Sequence, residues 1–84
     1  MWYAFSYYEY ECEAKVFPEP SQFGIGDGRV SKLFVRRRGT PDRPANILLN
    51  YDRGWDVNHL PDAELWAIVR RAEFCQDNDI GRLA

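Results

Sequence analysis

From Tyr8 onward the chain alternates in character. Tyr8, Tyr10, Cys12, Ala14 and Val16 fall on one side, and Glu9, Glu11, Glu13 and Lys15 on the other. A period of two is the mark of a strand with one buried face. The aromatic residues between Trp2 and Tyr7 extend the same strand-forming composition back to the start. A single strand over 2–17 would be unusually long. A bend or bulge is therefore expected near Ser6–Tyr7, leaving the first residues as an edge extension or a separate short strand. Pro18 and Pro20 end the stretch, because proline has no N–H for the ladder. A second alternation covers 29–38, with Ser31, Leu33 and Val35 against Val30, Lys32, Phe34 and Arg36. A third covers 45–51, with Ile47, Leu49 and Tyr51 against Leu48 and Asn50. Gly39 to Pro44 reads as the turn between them.

Later the period changes. Leu65, Ile68, Val69, Ala72 and Cys75 recur at three- and four-residue spacing, which predicts a helix over 62–76. Pro61 suits the first turn, and Asp62 and Glu64 complement the positive end of the helix dipole. Asp77, Asn78 and Asp79 suit a carboxyl end poorly, so the helix is expected to stop near Gln76. The order β-β-β-α implies an α+β fold in one domain over 1–84. The expected form is a three- to four-stranded antiparallel meander with one C-terminal helix packed on one face. The opposite face would carry Tyr7, Val30, Phe34 and Leu48 among charges. That is too apolar for water, so a partner is expected there, most simply a second copy in a dimer or larger oligomer.

Composition narrows the class. Eighty-four residues, 45% hydrophobic and 15% aromatic, support one small core. Cys12 and Cys75 could close at most one bridge and read as buried thiols. With one histidine and no Cys-x-x-Cys, neither a metal site nor a cofactor is expected. No apolar run approaches the ~20 residues that span a bilayer, and no basic-then-apolar leader is seen. A cytoplasmic protein without membrane partners is the expectation. Net charge is −2, with an acidic first quarter (Glu9, Glu11, Glu13, Glu19) and a basic middle (Arg29, Lys32, Arg36, Arg37, Arg38, Arg43). This argues against general nucleic-acid binding but allows one anion at one site. A hairpin register pairing Glu13 with Lys32, and Glu9 with Arg36, would account for both charge blocks.

Three stretches offer chemistry. Gly24, Gly26 and Gly28 suggest a phosphate loop, which needs a strand before and a helix after. Here a strand follows, so a turn using positive φ is expected, anchored on the core by Phe23 and Ile25. Arg36 and Arg38 share one side of a strand and can converge on a carboxylate or phosphate; a solvated or glutamate-paired edge is the plainer account. Tyr51–Asp56 packs two aromatics, an arginine and two carboxylates into six residues. Either Trp55 plugs the sheet–helix junction while Asp52 pairs Arg53, or Trp55 stacks on a planar group whose charge Arg53 holds. Asp56 and His59 form a possible acid–base pair without a nucleophile or second acid, so no enzyme is expected. The N-terminal aromatic run resembles a single-strand stacking platform, but its glutamates would repel phosphates.

Two stretches taken together, Glu19-Pro-Ser-Gln-Phe-Gly-Ile-x-x-Gly28-Arg-Val-Ser-Lys-Leu33 and Tyr51-Asp-Arg-Gly-Trp-Asp56, resemble a family of small uncharacterised proteins from phages, prophages and other bacterial mobile elements. The resemblance spans about residues 8–70. It brings no activity and no catalytic residues. It implies an accessory gene, often one that inhibits host defence by binding a defence protein or sequestering a nucleotide signal. The resulting expectation is a non-enzymatic, counter-defence binding protein in a bacterial host. Arg36, Arg38, Arg53 and Trp55 would hold an anionic, nucleotide-like ligand at a site completed by a second chain. The alternative is a protein–protein inhibitor of a host defence protein that uses the exposed sheet face. A structural accessory protein with no ligand comes third.

Overall fold

The computed structural model describes residues 1–39, 42 and 46–83. Five strands precede one helix: β1 Trp2–Tyr7, β2 Tyr10–Val16, β3 Val30–Arg37, β4 Asn46–Asp52, β5 Trp55–Asn58, and α1 Asp62–Asn78. The strands lie side by side in chain order, each antiparallel to the next. The α+β meander with a C-terminal helix is as expected, with one or two more strands than the alternation predicted. The expected turn over 39–44 lies largely outside the described residues, as does Ala45.

The stretch 2–17 forms a hairpin. Its reversal is a two-residue turn at Tyr8–Glu9, two positions beyond the expected bend. Tyr8 takes a left-handed φ of 52° there, and its ring points into solvent. The last strand, β5, returns beside β4 where the chain was expected to leave the sheet. Its four residues are too few to display a period.

The core lies between the sheet and α1. Two cross-strand rows face the helix: Tyr3, Ala14, Leu33 and Tyr51, and beside them Phe5, Cys12, Val35 and Leu49. The helix presents Leu65, Ile68, Val69, Ala72 and Cys75, all buried, as its spacing predicted. Fully burying one large aliphatic side chain contributes about 1.5–3 kcal/mol, so this stripe accounts for the docking of α1. The Tyr10 hydroxyl donates to Glu64 at 3.2 Å and ties the first hairpin to the helix start. At the other end the helix runs two residues past Gln76, and Asp79 closes it in the left-handed conformation. The acidic residues there oppose the dipole, and Arg29 offsets them from the foot of β3. Its guanidinium lies 2.7 Å from Asp77 and 3.7 Å from Glu73, and its Nε donates to the Phe17 carbonyl at 3.0 Å. The hydrogen bond from Arg29 holds the Asp77 carboxyl below its ordinary range.

Register overturns two expectations. Glu11 faces Arg36, Glu13 faces Phe34 and Lys15 faces Lys32, a two-residue shift from the pairing that charge suggested. A two-residue slip leaves every side chain on its own face, so alternation could not choose between the registers. The strands also carry bulges. Between Lys15 and Val16 the partner strand holds one extra residue, Ser31, which brings Val30 opposite Val16. Beside Val35 and Arg36 the extra residue is Leu48. An inserted residue breaks the alternation beyond it. Val30 is accordingly 0% exposed and Leu48 8%, both within the core. Tyr7 packs against the rim of that core. Of the four residues expected on an outer apolar patch, only Phe34 lies on the open face, half-buried.

The glycine loop works through backbone contacts. A Cβ on Gly24 would collide with the Gly28 carbonyl oxygen. Gly26 takes φ 60° under the ring of Trp66, and Gly28 is extended. Ile25 anchors the loop in the core, whereas Phe23 stays exposed. The C-terminal residues Gly81–Leu83 return to β1, with Ala4 N–H donating to Gly81 O at 2.8 Å and Leu83 N–H to Trp2 O at 2.9 Å. They cover an edge that would otherwise present unpaired backbone.

Two predictions follow from this packing. Gly24→Ala is expected to lose about 1–3 kcal/mol of stability in urea unfolding, the usual size of a backbone clash. An unchanged midpoint would mean that the loop can open at Gly24. Burial pushes the Cys12 thiol from 9.0 up to about 12 and raises Cys75 as well. A folded pKa above the unfolded one stabilises fully below about 9, and that stability is lost as pH rises towards 12. The native protein should therefore resist a thiol-labelling reagent at pH 8, expose both thiols in urea, and lose stability progressively in alkali. Fast labelling without denaturant would contradict the buried placement.

Candidate functional site

The face of the sheet away from α1 carries the charged half of each alternation. At the end near the first turn, Ser6, Glu11 and Arg36 stand in one cross-strand row. Arg36 Nη2 donates to Glu11 Oε2 at 2.9 Å, and Arg38 Nε lies 3.3 Å from the other oxygen. The two arginines converge as expected, and what they converge on is a glutamate. The small side chains of Ala4 and Ser6 leave a groove of about 450 Å³ beside Phe34, into which Glu13 also faces. Two arginines and two glutamates give this groove no net charge.

A second depression of about 240 Å³ adjoins the first through Glu13 and Phe34. Trp2 and Asn50 flank it. Its lining holds two acids, Glu13 and Asp52, against one cation, and Lys32 Nζ lies 3.5 Å from Asp52. The expected pairing of Asp52 with Arg53 gives way to this contact.

The far end of the face is different. A pocket of about 280 Å³ is lined by Lys15, Lys32 and Arg53, by Phe17 and Phe23, and by Ser21 and Ser31, with no acidic residue among the lining. Lys15 stands directly opposite Lys32 on the neighbouring strand, an arrangement that destabilises a sheet when nothing lies between the charges. Ser31, the extra residue of the bulge, is 2% exposed, and its Oγ is buried without a hydrogen-bond partner. The Ser31 carbonyl accepts the Arg53 N–H at 2.9 Å, where Arg53 holds a left-handed φ of 56°. The bulge thus buries the hydroxyl and fixes the backbone from which the third cation projects.

The four residues expected to form one ligand site are dispersed. Arg36 and Arg38 are together. Arg53 is bonded to Ser31, five residues back along β3, roughly 16 Å away at the usual strand rise. Trp55 packs edge-on against Tyr51, with ring centroids 4.9 Å apart, and half of it is exposed. Asp56 is the extra residue where β5 meets β4, and it accepts from Asn50 Nδ2 at 3.4 Å. His59 is exposed beyond β5. Among the described residues, no three His, Cys, Asp or Glu side chains gather at metal-binding distance. Lys15, Ser31, Phe17 and Phe23 were not candidates from the sequence. The one available signal was Lys15, a lone cation in an acidic strand, but its meaning depends on register.

A family model described as a domain of unknown function, DUF7678, matches residues 1–72. The chain belongs to the DUF7678 family. No curated protein and no solved structure matches it. The DUF7678 match takes in all five strands and α1 as far as Ala72, so every residue lining the three depressions lies within it. Asp77 and the Gly81–Leu83 tail lie beyond its end. No helix among the described residues is long and apolar enough to cross a membrane.

Proposed function

We propose that this DUF7678 protein is a non-enzymatic binding protein that holds a small anion at the Lys15–Lys32–Arg53 end of its open sheet face. The observation that carries the reading is the opposition of two lysines across β2 and β3, of which Lys32 also reaches Asp52 at 3.5 Å, with a third cation beside them and no acid in the lining. An anion between them converts repulsion into attraction. Catalysis has no comparable support, since Asp56 and His59 are exposed and Glu11 is engaged by arginines. The ligand site therefore moves from Arg36, Arg38 and Trp55 to Lys15 and Lys32, and keeps Arg53. A second copy of the chain would enclose the ligand further, because the rings of Phe17 and Phe23 are open to solvent. In a mobile-element protein, sequestering a small anionic signal would serve counter-defence.

A second reading rests on the neutral groove. Arg36, Arg38 and Phe34 belong to the residue types enriched at protein interfaces, and both arginines pair with Glu11. A protein–protein inhibitor of a host protein would use that end of the face.

The anion reading is tested by thermal unfolding at low ionic strength, with inorganic phosphate titrated against chloride of matched ionic strength to remove general screening. Phosphate should raise the wild-type Tm in a saturable way and leave Lys15→Gln unmoved. Unliganded Lys15→Gln should be as stable as wild type or slightly more so, by about 0.2–1 kcal/mol, because one of two facing like charges is gone. Equal phosphate effects on both proteins, or none on either, would count against the site.

A further inference from the structure

We infer that the ligand of the Lys15–Lys32–Arg53 pocket is a mononucleotide, its phosphate among those cations and Ser31 Oγ and its base against Phe17 and Phe23. This rests on the anion reading above and names the class of anion.

The case for phosphate comes from Ser31. A buried hydroxyl without a partner is rare in folded chains, and Ser31, which carries one, borders the only one of the three depressions described above whose lining has no acid. A hydroxyl donates one hydrogen bond, and three cations supply several more. A phosphate monoester presents three strongly accepting oxygens, enough to meet two lysines, an arginine and a hydroxyl together. A carboxylate presents two. The geometry is also built in. The Ser31 carbonyl fixes the backbone of Arg53, and the strand pairing fixes Lys15 against Lys32.

The case for a planar group comes from the two rings. Phe17 is 38% exposed and Phe23 49%, beside three charges. Lys15 Nζ lies 5.3 Å from the centroid of the Phe17 ring, which keeps that ring next to the charge. Phe23 is held by its backbone: Tyr51 Oη donates to its carbonyl at 2.8 Å, and its N–H donates to Ser21 Oγ at 3.1 Å. Inorganic phosphate would leave both rings wet, whereas an aromatic base attached to the phosphate would cover them. Stacking of bases on aromatic side chains is insensitive to which base is present. A volume of about 280 Å³ suits one nucleotide, at the small end of ligand pockets. A polymer is disfavoured, because the adjoining depression carries Glu13 and Asp52 where the next phosphate would track, and the chain as a whole is acidic at −2.

Isothermal titration calorimetry on the whole chain, at fixed ionic strength, separates the claims. The probes are inorganic phosphate, adenosine, and the panel AMP, GMP, CMP and UMP; the proteins are wild type, Phe23→Ala, Ser31→Ala and Lys15→Gln. At least one mononucleotide is expected to bind ten-fold or more tightly than phosphate, with adenosine showing no binding. Phe23→Ala should abolish the advantage of the nucleotide and leave phosphate binding as it was. Ser31→Ala should weaken phosphate and nucleotide alike while unfolding at the wild-type temperature, since its hydroxyl has no partner in the protein to lose. Lys15→Gln should weaken both. Phosphate binding as tightly as every nucleotide, or Phe23→Ala leaving nucleotide affinity intact, would overturn the inference while the anion reading stands. Adenosine binding as well as AMP would overturn the placement of the phosphate. No binding by phosphate or by any nucleotide would remove the inference and the anion reading together.

Discussion

The pairing of β2 with β3 carries one extra residue at Ser31, and the outer face of the molecule is arranged around that insertion. On one side of it the chain keeps the alternation that puts Leu33 and Val35 under the helix. On the other side the alternation is reversed, so that Val30 enters the core opposite Val16. The insertion strands the Ser31 hydroxyl away from water and offers the Ser31 carbonyl to the turn at Arg53. It also ends the regular ladder at the point where Lys15 faces Lys32. Folded chains tolerate bulges where they re-aim side chains, and here the inserted residue carries a buried hydroxyl beside three cations.

Charge on this protein is divided by strand and then matched locally. Glu11 serves both Arg36 and Arg38, Asp52 serves Lys32, and Asp77 with Glu73 serves Arg29. Exposed pairs of this kind contribute little to stability, of order 0–1 kcal/mol each. Their effect is on selectivity, because each neutralised pair withdraws a cation from any site open to a free anion. Among the described residues, Lys15 and Arg53 are the cations of the third pocket that lie outside these pairs, and Lys32 borders it while also reaching Asp52. The difference between the neutral groove and the cationic pocket thus arises from the positions of Glu11, Glu13 and Asp52.

The helix and the tail close the remaining surfaces. Docking of α1 covers one face of β1, β2 and β3 with an aliphatic stripe, and Gly81–Leu83 then lie along the edge of β1. That edge pairing removes a backbone template for association. It leaves the open face as the broad polar surface on which recognition would occur, and sets the small side chains of Ala4 and Ser6 as the floor of its groove.

The sequence by itself determined the fold class, the helix and its buried stripe, and the inward set Cys12, Ala14, Leu33, Val35 and Leu49. Each of these depends on a local period that survives whatever the neighbouring strand does. It also determined that Arg36 and Arg38 share a face. The hairpin at Tyr8–Glu9 was hidden because no glycine or proline marks its turn, and the strand Trp55–Asn58 because four residues after Gly54 are too few to display a period. The positions of Val30 and Leu48 were hidden because a bulge reverses alternation without any residue type announcing it. Only the tertiary structure decided the candidate site. A two-residue slip keeps every face assignment intact, so the choice of Lys32 or Phe34 as the neighbour of Glu13 is made by packing across the whole sheet. That choice puts Lys15 against Lys32 and brings Ser31 and Arg53 to the same place.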